Sequence, residues 1–195
     1  MDSTNQQLFV VSDTSVILSF VCSKNQDLLI SFTNGAPLYI PEAVASEMRR
    51  KLAEDRFRVG QTTWFSLIGS KYIEVLEDTV DVFHVVRRFA GVGFRNEAGL
   101  AKDLGEFMCL AHCLVEQDKG KKVAMIVDDG QGQEMARKRQ VHWFSSEDVL
   151  LRALQMKKLR TKSEVRKIWE QLSEFDTHVH FSNTKLSNPK IYRDL

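Results

Sequence analysis

Six carboxylates stand where a folded chain can gather acids. Asp13 follows the apolar run Leu8-Phe9-Val10-Val11 after one serine, and Asp128 and Asp129 directly follow the run Val123 to Val127. Glu47 lies in a helical stretch after Pro41. Glu106 heads the apolar stretch Leu104 to Val115, with Asp103 three residues before it, so one helical turn presents both. If the two apolar runs are neighbouring parallel strands, their terminal acids meet at the edge where open parallel sheets bind ligands. Carboxylates gathered in this way repel one another, and a cation among them relieves the repulsion. All-oxygen donors select Mg²⁺ or Mn²⁺. Such ions activate water and stabilise charge at phosphorus, so the set points to a metal-dependent phosphodiesterase. Taken singly, each acid has a plainer role, because an Asp or Glu at a strand end or helix start caps and charges that helix.

The elements that must position these acids read as alternating short strands and helices. Leu8 to Val11, Pro37 to Ile40, Lys71 to Leu76, Val123 to Val127 and Val141 to Phe144 have the apolar texture of strands. Helices are predicted from Val16 to Val21, Gln26 to Phe32 and Thr62 to Ile68, and after Pro41 with Val44, Glu47 and Met48 on one face. Further helices are predicted from Thr79 to Phe89, Leu104 to Val115 and Glu134 to Arg139, and from about Glu147 behind a Ser145-Ser146 cap. Asn34-Gly35 is a stop signal, and residues 91–96 read as a loop. The alternation predicts an α/β fold with a parallel sheet covered on both faces.

With 195 residues the chain buries roughly 70% of its unfolded surface, enough for a core without disulfides. Cys22, Cys109 and Cys113 are odd in number, sit in apolar contexts and form no CxxC, which predicts reduced, buried thiols in a cytoplasmic protein. The N-terminal apolar run is too short for a signal peptide, and no window is apolar enough to span a membrane. The net charge of +1 excludes a uniformly basic binder, although local patches remain. Between Arg137 and Lys167 ten basic residues face three acids, as an RNA-contacting face or a solvated helix face would. His112, between Cys109 and Cys113, reads as core. Trp64, Trp143 and Trp169 read as anchors. The division expected is residues 1–150 as the catalytic domain and 151–195 as a basic helical extension with a loosely held polar tail.

Four segments together resemble the ordered acidic motifs of PIN-domain ribonucleases, and VapC-like proteins among them. They are Val10-Val11-Ser12-Asp13-Thr14-Ser15, Ile40-Pro41-Glu42-Ala43-Val44-Ala45-Ser46-Glu47, Leu104-Gly105-Glu106 and Ile126-Val127-Asp128-Asp129. The resemblance covers about residues 8 to 155 and implies a PIN-like three-layer α/β/α fold with a central parallel sheet. It further implies a Mg²⁺ or Mn²⁺ site built from Asp13, Glu47, Glu106 and Asp128, which would both hold metal and catalyse. Asp103, Asp129 and Ser15 (or Thr14) would stand in the outer shell. The implied activity is that of a metal-dependent endoribonuclease, as in the toxin of a toxin–antitoxin pair. RNA and an antitoxin protein are then the partners, and a homodimer is compatible with the apolar helix faces. Met108 stands where related sequences often carry another acid. That departure supports an alternative: a catalytically inactive PIN-like module that binds RNA or a partner protein.

Overall fold

The computed structural model describes residues 7–90, 95–96, 99–100, 104–176 and 179–192. In chain order the elements begin with β1 (Phe9–Ser12), α1 (Thr14–Cys22), α2 (Gln26–Phe32), β2 (Leu38–Pro41), α3 (Glu42–Leu52), α4 (Gln61–Gly69) and β3 (Ile73–Leu76). There follow α5 (Val80–Ala90), β4 (Arg95–Asn96), β5 (Gly99–Leu100), α6 (Leu104–Asp118), β6 (Val123–Ile126), α7 (Gly130–Lys138), β7 (His142–Phe144), α8 (Ser146–Gln155) and α9 (Lys162–Ser173). Five strands form one parallel sheet in the order β3-β2-β1-β6-β7. The helices flank it in a three-layer α/β/α arrangement, the fold class predicted above. Every residue of β1 and of β6 is buried, which is why both read as unbroken apolar runs rather than alternating ones.

Helix α6 lies along β6, β1 and β2, with α5 packed outside it, while α1 packs with α2 and α9. The main core includes Phe20, Leu29, Ile40, Met48 and Met125. A second cluster of Val82, Val86, Met108, Ala111 and Val115 joins α5 to α6. Met108 therefore serves the contact between two helices.

Local chemistry sets the helix boundaries. Asp13, in extended backbone, accepts the N–H of Val16 and starts α1. Asp129 does the same for α7 with the N–H groups of Gln131 and Gly132. That cap starts α7 four residues before the predicted Glu134, because Gly130 and Gly132 hide the helical signal in its first turn. Asn34 and Gly35, both at positive φ, follow α2 as its sequence signal requires. Within the predicted 91–96 loop, Arg95 and Asn96 instead pair antiparallel with Leu100 and Gly99; residues 91–94 lie outside the described residues.

The segment after residue 151 shares the main core through Leu154, Leu159, Val165, Trp169 and Leu172. The tail beyond Phe175 is held as well, contrary to the loose tail expected. Phe181 and Leu186 are buried, Trp169 Nε1 donates to the Val179 carbonyl at 3.0 Å, and Tyr192 Oη donates to the Leu186 carbonyl at 2.7 Å. Ile191 and Tyr192 also pack against the main core, so scattered apolar residues dock a segment of polar composition. No described helix is long and apolar enough to cross a membrane.

Candidate functional site

The sheet order reverses between β1 and β6. The chain leaves β1 towards β2 on one side and reaches β7 from β6 on the other, which makes the carboxyl ends of the central strands a topological switch point, the place where open sheets of this kind bind ligands. Ser12 pairs with Ile126, and the Asp13 N–H donates to the Ile126 carbonyl at 3.2 Å. Asp13 thus leaves β1 beside the point where Asp128 leaves β6.

Asp13 is 5% exposed. Its Oδ1 accepts the Val16 N–H at 3.1 Å and its Oδ2 accepts the Ser15 hydroxyl at 2.9 Å. Burial pushes its carboxyl well above the ordinary value, and the nearby charge of Asp128 pushes it further. The two hydrogen bonds oppose that rise, and Glu106 adds to it. Asp13 is thus a buried acid crowded by two others.

Asp128 is gripped from α8. The Ser146 N–H donates to Oδ1 at 2.7 Å and the Ser146 hydroxyl donates to Oδ2 at 2.5 Å. Glu106, in the first turn of α6, lies against the start of α7. A Cβ on Gly132 would meet Glu106 Oε2 at 3.0 Å and Val127 Cγ2 at 2.6 Å, so only glycine permits this approach. Glu47, on α3, stands at the flank of the group. Its Oε2 accepts the Thr14 hydroxyl at 2.7 Å, its Oε1 faces Arg50 Nη2 at 3.3 Å, and a Cβ on Gly105 would lie 3.7 Å from Oε2.

The fold therefore brings Asp128 and Glu106 within electrostatic reach of Asp13, with Glu47 bonded to the neighbouring Thr14. Ser15 acts on Asp13 and not from a distance. The side chain of Asp129 turns back on its own helix as a cap. Asp103 lies outside the described residues.

Among the described residues, no three Asp, Glu, His or Cys side chains form a closed ligand group. The donor chemistry nevertheless fits a hard divalent cation. All four acids offer oxygen, and Asp13 sits where an ionised carboxylate is opposed by burial and by two like charges, which a cation would offset. Cys22, Cys109 and Cys113 are free and buried, and the Cys109 thiol, pushed up by burial, donates to the Ser12 carbonyl at 3.3 Å. His112 is buried, as expected of a core residue, with Nε2 2.9 Å from Asp78 Oδ1.

Several basic residues are engaged by acids of their own helix. Arg137 holds Glu134 with two contacts of 2.7 Å, and Arg166 holds Glu170 at 2.7 Å. Trp64 and Trp169 are buried anchors.

Sequence reasoning missed two features that shape the site and one pairing outside it. Ser146 reads as part of a cap, yet its partner lies 18 residues upstream. Gly132 reads as a mere weakness in a helix. Asp78 offers no local sign of its pairing with His112, 34 residues away. Only for Gly132 does a sequence signal exist: a glycine inside a helical pattern often marks a close approach. No protein-family model matches this chain, and no curated protein matches it.

Proposed function

We propose that the chain is a metal-dependent endoribonuclease of the PIN type, hydrolysing RNA phosphodiester bonds. The observation that carries this reading is the meeting of Asp13, Glu106 and Asp128 at the switch point of the sheet, with Asp13 buried under the charge of the other two. These three, with Glu47 at their flank, would hold Mg²⁺ or Mn²⁺, and a bound ion of this kind lowers the pKa of water and stabilises charge on phosphoryl oxygens.

The chain's own groups supply orientation and proton acceptance. Val16 N–H and the Ser15 hydroxyl fix Asp13, Ser146 fixes Asp128, and Thr14 fixes Glu47. A carboxylate oxygen of the group accepts the proton of the attacking water. Arg50, exposed and paired with Glu47, would meet the phosphate backbone. By the resemblance of its four acidic segments to the motifs of VapC-like proteins, this activity would be that of the toxin of a cytoplasmic toxin–antitoxin pair, with an antitoxin protein as its partner.

Met108 favours a second reading, since it contributes an apolar side chain to the α5–α6 cluster where related sequences often carry an acid. On that reading the chain is an inactive PIN-like module that binds RNA or a partner protein. Incubation of a mixed, end-labelled RNA pool with Mn²⁺, Mg²⁺ or EDTA separates the two, with the parent run beside Asp13→Asn. The nuclease reading predicts cleavage that needs metal and is lost in Asp13→Asn. RNA retention without cleavage in either metal supports the second reading, and cleavage undiminished in EDTA contradicts the role of metal.

A further inference from the structure

We infer that Ser146 is a positioning residue that fixes the Asp128 carboxylate in the candidate site; the inference rests on the metal reading above. Ser146 is completely buried and is the first residue of α8. Its N–H reaches Asp128 Oδ1 and its hydroxyl reaches Oδ2, so both oxygens are engaged and the plane of the carboxylate is set.

Capping does not require this hydroxyl. Ser145 already caps α8, accepting the Asp148 N–H at 3.3 Å, while Asp148 Oδ2 accepts the Ser145 N–H at 3.0 Å. The Ser146 hydroxyl has no capping task and spends its donor on Asp128 alone among the bonds described. The start of α8 is itself secured from the C-terminal segment. The Lys185 N–H donates to the Glu147 carboxylate, and Lys185 Nζ lies 3.6 Å from Asp148 Oδ1. The orientation of Asp128 is thus set by a helix anchored elsewhere, and not only by the β6–α7 connection that carries it. Partners of this kind typically change metal affinity by about 10- to 100-fold when removed.

Mn²⁺ alone is the probe, with unbound ion read by electron paramagnetic resonance and melting temperature read in parallel. Ser146→Ala should bind Mn²⁺ roughly 10- to 100-fold more weakly than the parent, and Ser146→Thr, which keeps the hydroxyl, should restore binding. In an Asp128→Asn background, Ser146→Ala should weaken binding no further. A merely structural serine would lower the melting temperature in both backgrounds and leave the affinity of the folded protein unchanged. If Ser146→Ala does not fold, Ser146→Cys, of similar volume and a weak donor, carries the same prediction. A folded Ser146→Ala or Ser146→Cys protein with the parent's affinity overturns the positioning role while sparing the metal reading. A parent that binds no Mn²⁺ overturns both.

Discussion

Asp13 and Asp129 perform the same local task at opposite extremes of environment. Each follows a buried strand and adopts extended backbone, and each caps the helix it starts, Asp13 by accepting one backbone N–H and Asp129 by accepting two. Asp129 does so in solvent. Asp13 does so buried, with Asp128 and Glu106 near enough to oppose its ionisation. Capping explains why an acid or amide stands at each position, since Asn caps about as well as Asp. It does not explain why position 13 carries an ionisable carboxyl whose charge burial and two neighbours disfavour. A residue that opposes stability where a neutral one would serve supports the metal role proposed for it.

Asp13→Asn tests this difference most severely. The variant keeps the cap and removes the buried charge. RNA cleavage should fall by roughly 10²- to 10³-fold or more, the scale on which preorganised charge-stabilising groups act, as measured by initial rates on one RNA substrate. Gly132→Ala should be next. Its Cβ would intrude on Val127 and on Glu106, at a cost of about 1–3 kcal/mol by the usual scale of overpacking, with cleavage reduced as Glu106 is displaced. Gly130→Ala, two residues earlier with nothing within 4 Å of its Cβ, should fold as well as the parent in denaturant titrations.

The pH dependence of stability offers a third test. The Asp13 carboxyl titrates higher in the folded chain than its ordinary value of 3.8. Between the two values the native protein holds a proton that the unfolded chain has lost. Without divalent ions, its contribution therefore favours folding less as pH rises through that window. Asp13→Asn should flatten this part of the melting-temperature profile. The smallest effect belongs to the other aspartate. Asp129→Ala should cost about 1 kcal/mol, or about 2–4 °C, by loss of the cap, and Asp129→Asn should restore the parent's melting temperature.

The same contrast marks how far the sequence can be read. β1 and β6 are legible because burial on both faces leaves uninterrupted apolar runs, and the acids at their ends follow from strand termination. α6 is legible by its length and apolar content. The start of α7 is hidden by two glycines, one of which is there to admit Glu106. Docking of the tail rests on Phe181, Leu186, Ile191 and Tyr192, apolar residues scattered in a polar segment, and shows only once the core they pack against exists. The site divides likewise. Adjacency of β1 and β6 makes the meeting of Asp13 and Asp128 expected, while the hold of Ser146 on Asp128 and of Thr14 on Glu47 joins residues 18 and 33 apart. Such contacts are products of the tertiary fold, and local pattern carries no trace of them.

The central claim, that Asp13 is a charge retained for a cation, is tested most directly by melting the parent and Asp13→Asn at neutral pH with and without Mn²⁺. The account predicts that Asp13→Asn melts above the parent without metal. Mn²⁺ should then raise the parent, by about 2.7 kcal/mol at a hundredfold excess over its Kd, and leave Asp13→Asn unmoved. A metal-free Asp13→Asn that melts below the parent, with Mn²⁺ shifting both proteins equally or neither, would contradict it.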